Sequence, residues 1–371
     1  MKKVFFATLS VAVISLTSCT TEEPEIIETP PQTTYAFARD GFSTVSYSGQ
    51  TARLDMLEAM VDTIKSAVSN RNSIGLDLLE NMYANTNHVF ADTALNTSGK
   101  DLRSKTFSLD VELFDSYLEN LATSSNSIGM EASNGQAGVL STTDGAKSYL
   151  VDENGIEWLQ VFEKGIMGAT FYYQATSVYF SDDKIGEAVN NSDPVDPENG
   201  KYYTTMEHHW DEAFGYFGVP TNFLLSQSGV RFHGKYCNSR NELLGTNEKV
   251  MANFISGRIG ITNNVPTAKN AAITEIRNGW ELVIAGTAIH YLNGAIENFS
   301  SNALRCHELS EALAFVMSLK YNIGKTVSNA TIDQWIADLG TNFYEVQVAD
   351  LSQLRNEMAT AFNLEDIKEQ L

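Results

Sequence analysis

Apolar residues recur at helical spacing along most of the chain, and this periodicity is the feature that most restricts the possible fold. The longest periodic segments are 157–180, 267–299 and 302–321. The only plausible strands are the short segments 35–37 and 44–47. The seven prolines lie mostly outside the periodic segments, which is consistent with uninterrupted helices. The sequence therefore predicts an all-α fold.

The first residues resemble a bacterial lipoprotein signal. Lys2 and Lys3 precede an apolar run over 4–16, which at about thirteen residues is shorter than the roughly twenty that a spanning helix needs. The run ends in Leu-Thr-Ser-Cys19, which resembles the lipobox whose cysteine is acylated. We expect residues 1–18 to be a signal peptide and Cys19 to carry the lipid. An ordinary cleaved signal with a chance cysteine is the alternative.

Residues 19–34 are rich in glutamate and proline, a composition that keeps a segment extended and solvated. They are expected to be an acidic tether that joins the lipid to a helical domain at 35–371. Cys19 would make the membrane a partner. The expected location is the outer membrane, on either its cell-surface or its periplasmic face.

The formal net charge of −21 argues against a nucleic-acid partner, since phosphates require a basic surface. An acidic surface suits cations. Beyond Cys19, the chain has only Cys237 and Cys306, so a zinc site made of clustered cysteines is impossible. Whether these two form a disulfide is left open, because the sequence does not show that they meet.

The chain contains an internal repeat, at about 155–220 and 270–325. In each copy a helix with glutamate, glycine and tyrosine at matching offsets precedes a helix with a histidine and a glutamate four residues apart. The matching residues are Glu163, Gly168, Tyr173, His208 and Glu212 in the first copy, and Glu281, Gly286, Tyr291, His307 and Glu311 in the second. The repeat predicts two related helical bundles within one compact unit.

Histidine and glutamate share a polar strip on each of these helices. At about 100° per residue, His208 and Glu212 lie within roughly 40° of each other, as do His307 and Glu311. His209 lies on the other side of Glu212. The more apolar surroundings of the second copy predict that Glu311 is the more buried of the two carboxylates.

Glutamate and histidine on facing helices are the usual components of carboxylate metal sites. The candidate ligands for a divalent metal (iron, zinc or calcium) are Glu163, His208, His209, Glu212, Glu281, His307 and Glu311, in one shared site or two equivalent ones. The Glu-x-x-His pairs of di-iron bundles do not occur. Alternatively, the pairs only cross-link helices. A hydrolase with Glu212 or Glu311 as base on a metal-bound water is the third reading.

Four sequence blocks, 45–56, 163–169, 208–217 and 288–293, resemble a family of envelope lipoproteins known only as the domain of unknown function DUF4856. That resemblance implies no activity. A more distant resemblance is to the imelysin-like proteins, which consist of two up-and-down helical bundles and are tied to iron uptake.

The imelysin-like resemblance rests on His209-Trp-Asp-Glu212, which fits the His-x-x-Glu motif of that group. Glu207 replaces the glycine that the group has two residues before the histidine, and the second copy has His307-x-x-x-Glu311 instead. This resemblance implies envelope iron-uptake partners.

Our expectation is a lipid-anchored, non-enzymatic protein that binds a divalent metal or metal complex. A structural or adhesion lipoprotein is the alternative.

Overall fold

Helices dominate the part of the chain that the computed structural model describes, residues 32–371, and the fold is all-α. The helices are α1 (Ser48–Ser69), α2 (Leu76–Ala84), α3 (Thr93–Asn96), α4 (Val111–Ser125), α5 (Trp158–Ile166), α6 (Asp182–Ile185), α7 (Thr205–Phe217), α8 (Phe232–Leu244), α9 (Thr246–Thr262), α10 (Pro266–Glu297), α11 (Asn302–Ser318), α12 (Asn329–Asp338) and α13 (Val348–Ala361). Short 3-10 turns span Arg103–Lys105, Pro197–Asn199 and Leu319–Tyr321.

The long helix α10 lies at the centre of the core. It packs against α9, α11, α8 and α13, and α11 packs in turn on α5. Every residue of α10 from 283 to 289 is buried, so this part of the helix is covered on all its faces. Apolar side chains are stabilised when they are removed from water. A helix with apolar residues on every face is therefore stable only where other helices cover all of its faces.

Helix α5 continues without interruption into two π-helical segments, Met167–Tyr172 and Gln174–Tyr179. At the start of the first segment, Gly168 lies against Ser318 of α11, where a Cβ atom would stand 2.1 Å from the Ser318 hydroxyl oxygen. No other residue would allow the two helices to approach so closely. This contact fixes α5 and its continuation against α11.

Two short antiparallel hairpins accompany the helices. The first, β1 (Ala38–Arg39) with β2 (Phe42–Ser43), lies between the two strand segments predicted at 35–37 and 44–47, so the prediction had the region right and the residues wrong. The second, β3 (Gly138–Ser141) with β4 (Ser148–Val151), lies where the sequence predicts no strand. Its strands are only four residues long, too short for a clear alternating pattern.

Apolar periodicity over 242–257 predicts one continuous helix, but the structure has two helices there. Gly245 adopts the left-handed conformation (φ +62°) and ends α8, and α9 begins at the next residue. A glycine in this conformation is the usual helix terminator, because it carries no Cβ to clash. The apolar periodicity continues on both sides of Gly245, so the sequence pattern does not show the break.

Residues Thr33–Leu371 form one compact unit, in agreement with a single helical domain. Cys237 and Cys306 are both buried free thiols. Among the described helices none is long and apolar enough to cross a membrane. The predicted signal peptide, Cys19 and the tether up to residue 31 lie outside the described residues and stay predictions, as does the duplication.

Candidate binding cleft

A cleft of about 1290 Å³ opens between α1, α4, the β3–β4 hairpin, α5, α8, α10 and α11. One part of its wall is apolar, with Ile64, Leu121 and Trp158, and another is strongly polar. The polar part holds three of the seven predicted ligands, Glu163, His307 and Glu311, together with Glu157, Lys164, Tyr236 and Tyr291. A concave site with a few convergent polar groups is the usual form of a small-molecule site.

His307 lies on α11 and is held in place by two contacts. Its Nδ1 donates a hydrogen bond to Glu157 Oε2 at 2.6 Å. Its ring stacks on Tyr149 of β4, with centroids 4.3 Å apart. With Nδ1 engaged, Nε2 is left to face Glu311, whose Oε1 lies 3.5 Å away. Burial opposes a charged imidazole, yet the hydrogen bond to Glu157 and the surrounding carboxylates outweigh it and raise the pKa of His307.

Glu311 and Glu163 share the ammonium group of Lys164. Lys164 Nζ lies 2.8 Å from Glu163 Oε2 and 3.8 Å from Glu311 Oε1, and all three side chains are buried. Burial alone would favour neutral lysine, but the two carboxylates outweigh it and raise the pKa of Lys164. Lys164 is therefore a resident cation between the two carboxylates.

Two tyrosines complete the polar wall. The hydroxyl of Tyr236 on α8 donates to Glu311 Oε2 at 3.4 Å, and the hydroxyl of Tyr291 on α10 donates to Tyr236 at 3.3 Å. Burial and the charge of Glu311 raise the pKa of Tyr236, so it remains a neutral donor. These contacts orient the Glu311 carboxylate toward the cleft.

The other histidines of the repeat form a separate cluster on α7. His209 Nδ1 donates to Glu212 Oε2 at 2.9 Å, while Gln50 and Tyr179 both donate to Glu212 Oε1 at 3.0 Å. His208 Nδ1 contacts the carbonyl oxygen of Ser46 at 3.0 Å. Glu212 is thus satisfied by internal donors. Its side chain is 16% exposed against 7% for Glu311, which confirms that Glu311 is the more buried carboxylate.

Glu281 lies apart from both clusters. Its two oxygens accept hydrogen bonds from the backbone amide and the hydroxyl of Thr326, at 2.8 and 2.6 Å. Burial raises its pKa, although Thr326 partly offsets this effect. The seven candidates therefore divide among three places: a cleft group, an α7 group and Glu281 alone. The structure does not bring all seven candidates together in one place.

Glu207, near the start of α7, belongs to a buried ion network. Its carboxylate accepts from Arg258 at 2.7 Å and from Arg39 at 3.1 Å, and Arg258 also binds Asp211 at 3.1 Å. Glu207 also forms a capping box with Thr204 at the start of α7. Burial raises the pKa of Asp211 to about 6, against the opposing charge of Arg258. This network joins α7 to α9 and to the N-terminal segment.

Sequence reasoning missed Glu157, Lys164 and Tyr149. Glu157 lies 150 residues from His307 along the chain, so no local spacing pattern connects them. Tyr149 belongs to the unpredicted hairpin. Of these three, only Lys164 could have been found from the sequence. It follows Glu163 directly in the first copy of the repeat, and a lysine on a buried helix face requires a carboxylate partner for its charge.

The cleft group offers a metal ion two convergent protein donors. Two ligand atoms bonded at about 2.1 Å to one tetrahedral ion stand about 3.4 Å apart, and His307 Nε2 and Glu311 Oε1 are separated by 3.5 Å. The Glu157 bond to Nδ1 is the usual support of a metal-bound histidine. Within residues 32–371, however, no three His, Cys, Asp or Glu side chains are grouped to hold a metal ion. The residues fit an ion that brings further ligands with it.

A comparison with known families gives one match. The family model described as "Domain of unknown function (DUF4856)" matches residues 32–365. No curated protein and no solved structure matches the chain. Because the family match covers nearly all of the described fold, the chain belongs to the DUF4856 family.

Proposed function

We propose that this protein is a non-enzymatic binding protein of the cell envelope, which takes up a divalent metal ion in complexed form. His307 and Glu311 would be the protein ligands. The observation that carries the proposal is the 3.5 Å separation of His307 Nε2 and Glu311 Oε1 on the wall of a large cleft, with Glu157 behind the ring. Two protein donors leave the remaining coordination positions of the ion to other ligands.

The charges in the cleft also support a cation. Glu157, Glu163 and Glu311 converge on His307 and on Lys164, the lysine that lies between two of them. With His307 neutral, as a metal ligand must be, carboxylates outnumber cations in this group. Closely spaced carboxylates in a buried wall repel one another, and a divalent ion relieves that repulsion.

Calorimetric titration of the metal-free mature protein with zinc chloride tests the proposal. We expect one zinc ion per chain, and Glu311→Gln should lower the affinity at least tenfold, because an amide is a much weaker ligand than a carboxylate. The matched control is Glu212→Gln. Glu212 is saturated by internal donors, so its loss should lower the melting temperature and leave zinc affinity within twofold. Equal zinc affinities in wild type and Glu311→Gln would refute the assignment.

The envelope location is a separate part of the proposal and rests on the sequence around Cys19. Expression of the full chain followed by membrane fractionation tests it. Wild type should partition with the membranes and incorporate labelled palmitate, whereas Cys19→Ser should be unlabelled. Absence of label from wild type, or equal labelling of Cys19→Ser, would rule out the lipid anchor.

A structural or adhesion lipoprotein is the second candidate. The closed hydrogen-bond network around Glu212 favours it, since that cluster joins α7 to α1 and to the end of the α5 continuation. Under this alternative, Glu311→Gln and Glu212→Gln would both lower stability, and neither would change the binding of any metal. The same calorimetric series therefore separates the two candidates.

A further inference from the structure

The cleft wall contains an arginine whose guanidinium group has no hydrogen-bond partner among the described residues. Arg240 on α8 lines the cleft, and its Nε atom is buried without a hydrogen-bond partner. In the described part of the chain, its guanidinium group takes part in no ion pair or side-chain hydrogen bond. A buried donor without an acceptor is costly, and a charged one more so. No group of the described residues supplies this acceptor to Arg240 Nε, so it must come from a ligand or from water.

The other cations of the cleft differ from Arg240. Arg231 forms ion pairs with Asp55 and Glu58, and Lys164 with Glu163 and Glu311. Lys65, Arg71, Lys147 and Lys235 are exposed to water, which satisfies their charged groups. Arg240 alone combines a position in the cleft wall, partial burial and the lack of a partner, among the residues described.

Arg240 is connected to the proposed ligand Glu311 through Tyr236. It follows Tyr236 by one helical turn, so both side chains are on the same face of α8. Tyr236 donates to Glu311, and Arg240 and Tyr236 both line the cleft with His290 and Tyr291. The cleft therefore presents an acidic and histidine-containing end and, beside it, a free guanidinium group.

We infer that Arg240 binds a carboxylate group of the ligand, and that the ligand is a polycarboxylate whose metal chelate reaches His307 and Glu311. A guanidinium fork and a carboxylate match in shape and bind through two parallel hydrogen bonds. The metal part of this inference rests on the proposed function. The carboxylate part rests on Arg240 and stands without it.

Citrate is a suitable probe, because it is a small polycarboxylate that binds zinc. Metal-free protein is titrated by calorimetry with zinc chloride, with sodium citrate and with equimolar zinc citrate, at ionic strength matched with sodium chloride. We expect zinc citrate to bind wild type with higher affinity than either component. Arg240→Gln should weaken zinc citrate about tenfold or more, as expected for the loss of a charged hydrogen bond, and leave zinc chloride unchanged.

Two further variants guard against indirect effects. Arg240→Lys keeps the charge and loses the fork, so it should bind zinc citrate with intermediate affinity. Arg103→Gln removes an arginine that lies outside the cleft in an exposed pair with Asp115, and it should bind like wild type. Melting curves without ligand show whether each variant is folded.

The outcomes separate this inference from the proposed function. Arg240-dependent binding of citrate without any zinc effect would support the carboxylate site and refute the metal site. Zinc binding that depends on Glu311, with zinc citrate binding unaffected by Arg240→Gln, would overturn the present inference and leave the proposed function intact. Absence of citrate and zinc citrate binding in wild type would also overturn it.

Discussion

At the scale of single residues, Glu157 determines the chemistry of His307. Its carboxylate accepts from Nδ1 at 2.6 Å, so the second ring nitrogen must point into the cleft. The same carboxylate stabilises the imidazolium form and thereby raises the pKa of His307 against the effect of burial. A proton and a metal ion therefore compete for Nε2 as the pH falls through the raised pKa of His307.

Zinc binding should weaken as pH falls through the raised pKa of His307, which lies above the ordinary 6.5. Protonation blocks Nε2, while the His307–Glu157 contact itself is strongest in this protonated form and weakens as pH rises through the same pKa. Glu157→Gln removes the charge that raises the pKa, so zinc binding should persist to lower pH. Calorimetry between pH 5.5 and 8 measures both midpoints. Identical midpoints would contradict this assignment.

Arg258 provides the clearest stability test at this scale. Arg258→Met would leave Asp211 buried without a cation and Glu207 with Arg39 alone, and we expect a loss of about 3–5 kcal/mol in the free energy of unfolding. Arg103→Met in the exposed Arg103–Asp115 pair is the control and should cost less than about 1 kcal/mol. Urea denaturation measures both. Similar losses of unfolding free energy would show that the buried network contributes no more to stability than the exposed pair.

At the scale of elements, the π-helical continuation of α5 determines where its last residues point. A π-helical turn holds more residues than an α-helical turn, so each such turn rotates the side chains that follow. Tyr179, at the end of this stretch, donates to Glu212 of α7. Sequence periodicity predicted a helix over 157–180, but it assumed 3.6 residues per turn and could not show this rotation.

Gly168→Ala should destabilise the protein by about 1–3 kcal/mol, because the added methyl group has no space beside Ser318 and α5 must move away from α11. Gly129→Ala is the control, since nothing lies within 4 Å of a Cβ atom at that position. Thermal melts compare the two. A Gly168→Ala protein as stable as the control would mean that the helices are not in such close contact.

At the scale of the whole molecule, the helical framework was predictable and the binding cleft only partly so. The α10 and α11 helices followed from long apolar periodicity, which is a local property of the sequence. The cleft depends on tertiary neighbours. Glu157 and His307 meet across 150 residues, and Tyr149 comes from a hairpin with little local signal. Three of the seven candidate ligands lie in the cleft. The sequence shows which residues share a helical face, as His307 and Glu311 do, but not what that face contacts.

Lys164→Met tests the charge balance of the whole cleft. Without the ammonium group, Glu163 and Glu311 repel each other, and the free energy of unfolding should fall by about 3–5 kcal/mol at neutral pH. Zinc should then bind more tightly, because no internal cation remains to be displaced, and should restore much of the lost stability. Lys249→Met, in a surface pair with Glu275, is the control. Weaker zinc binding to Lys164→Met would contradict this account.

Under the proposed function, the position of Lys164 would make the cleft an ion exchanger. The ammonium group of Lys164 pairs with Glu163 and Glu311, so both carboxylates have a counterion when no metal ion is bound. A metal ion would replace this ammonium group beside Glu311, and the returning lysine would favour release of the ion. Release would then need no conformational trigger, because the competing cation belongs to the chain itself.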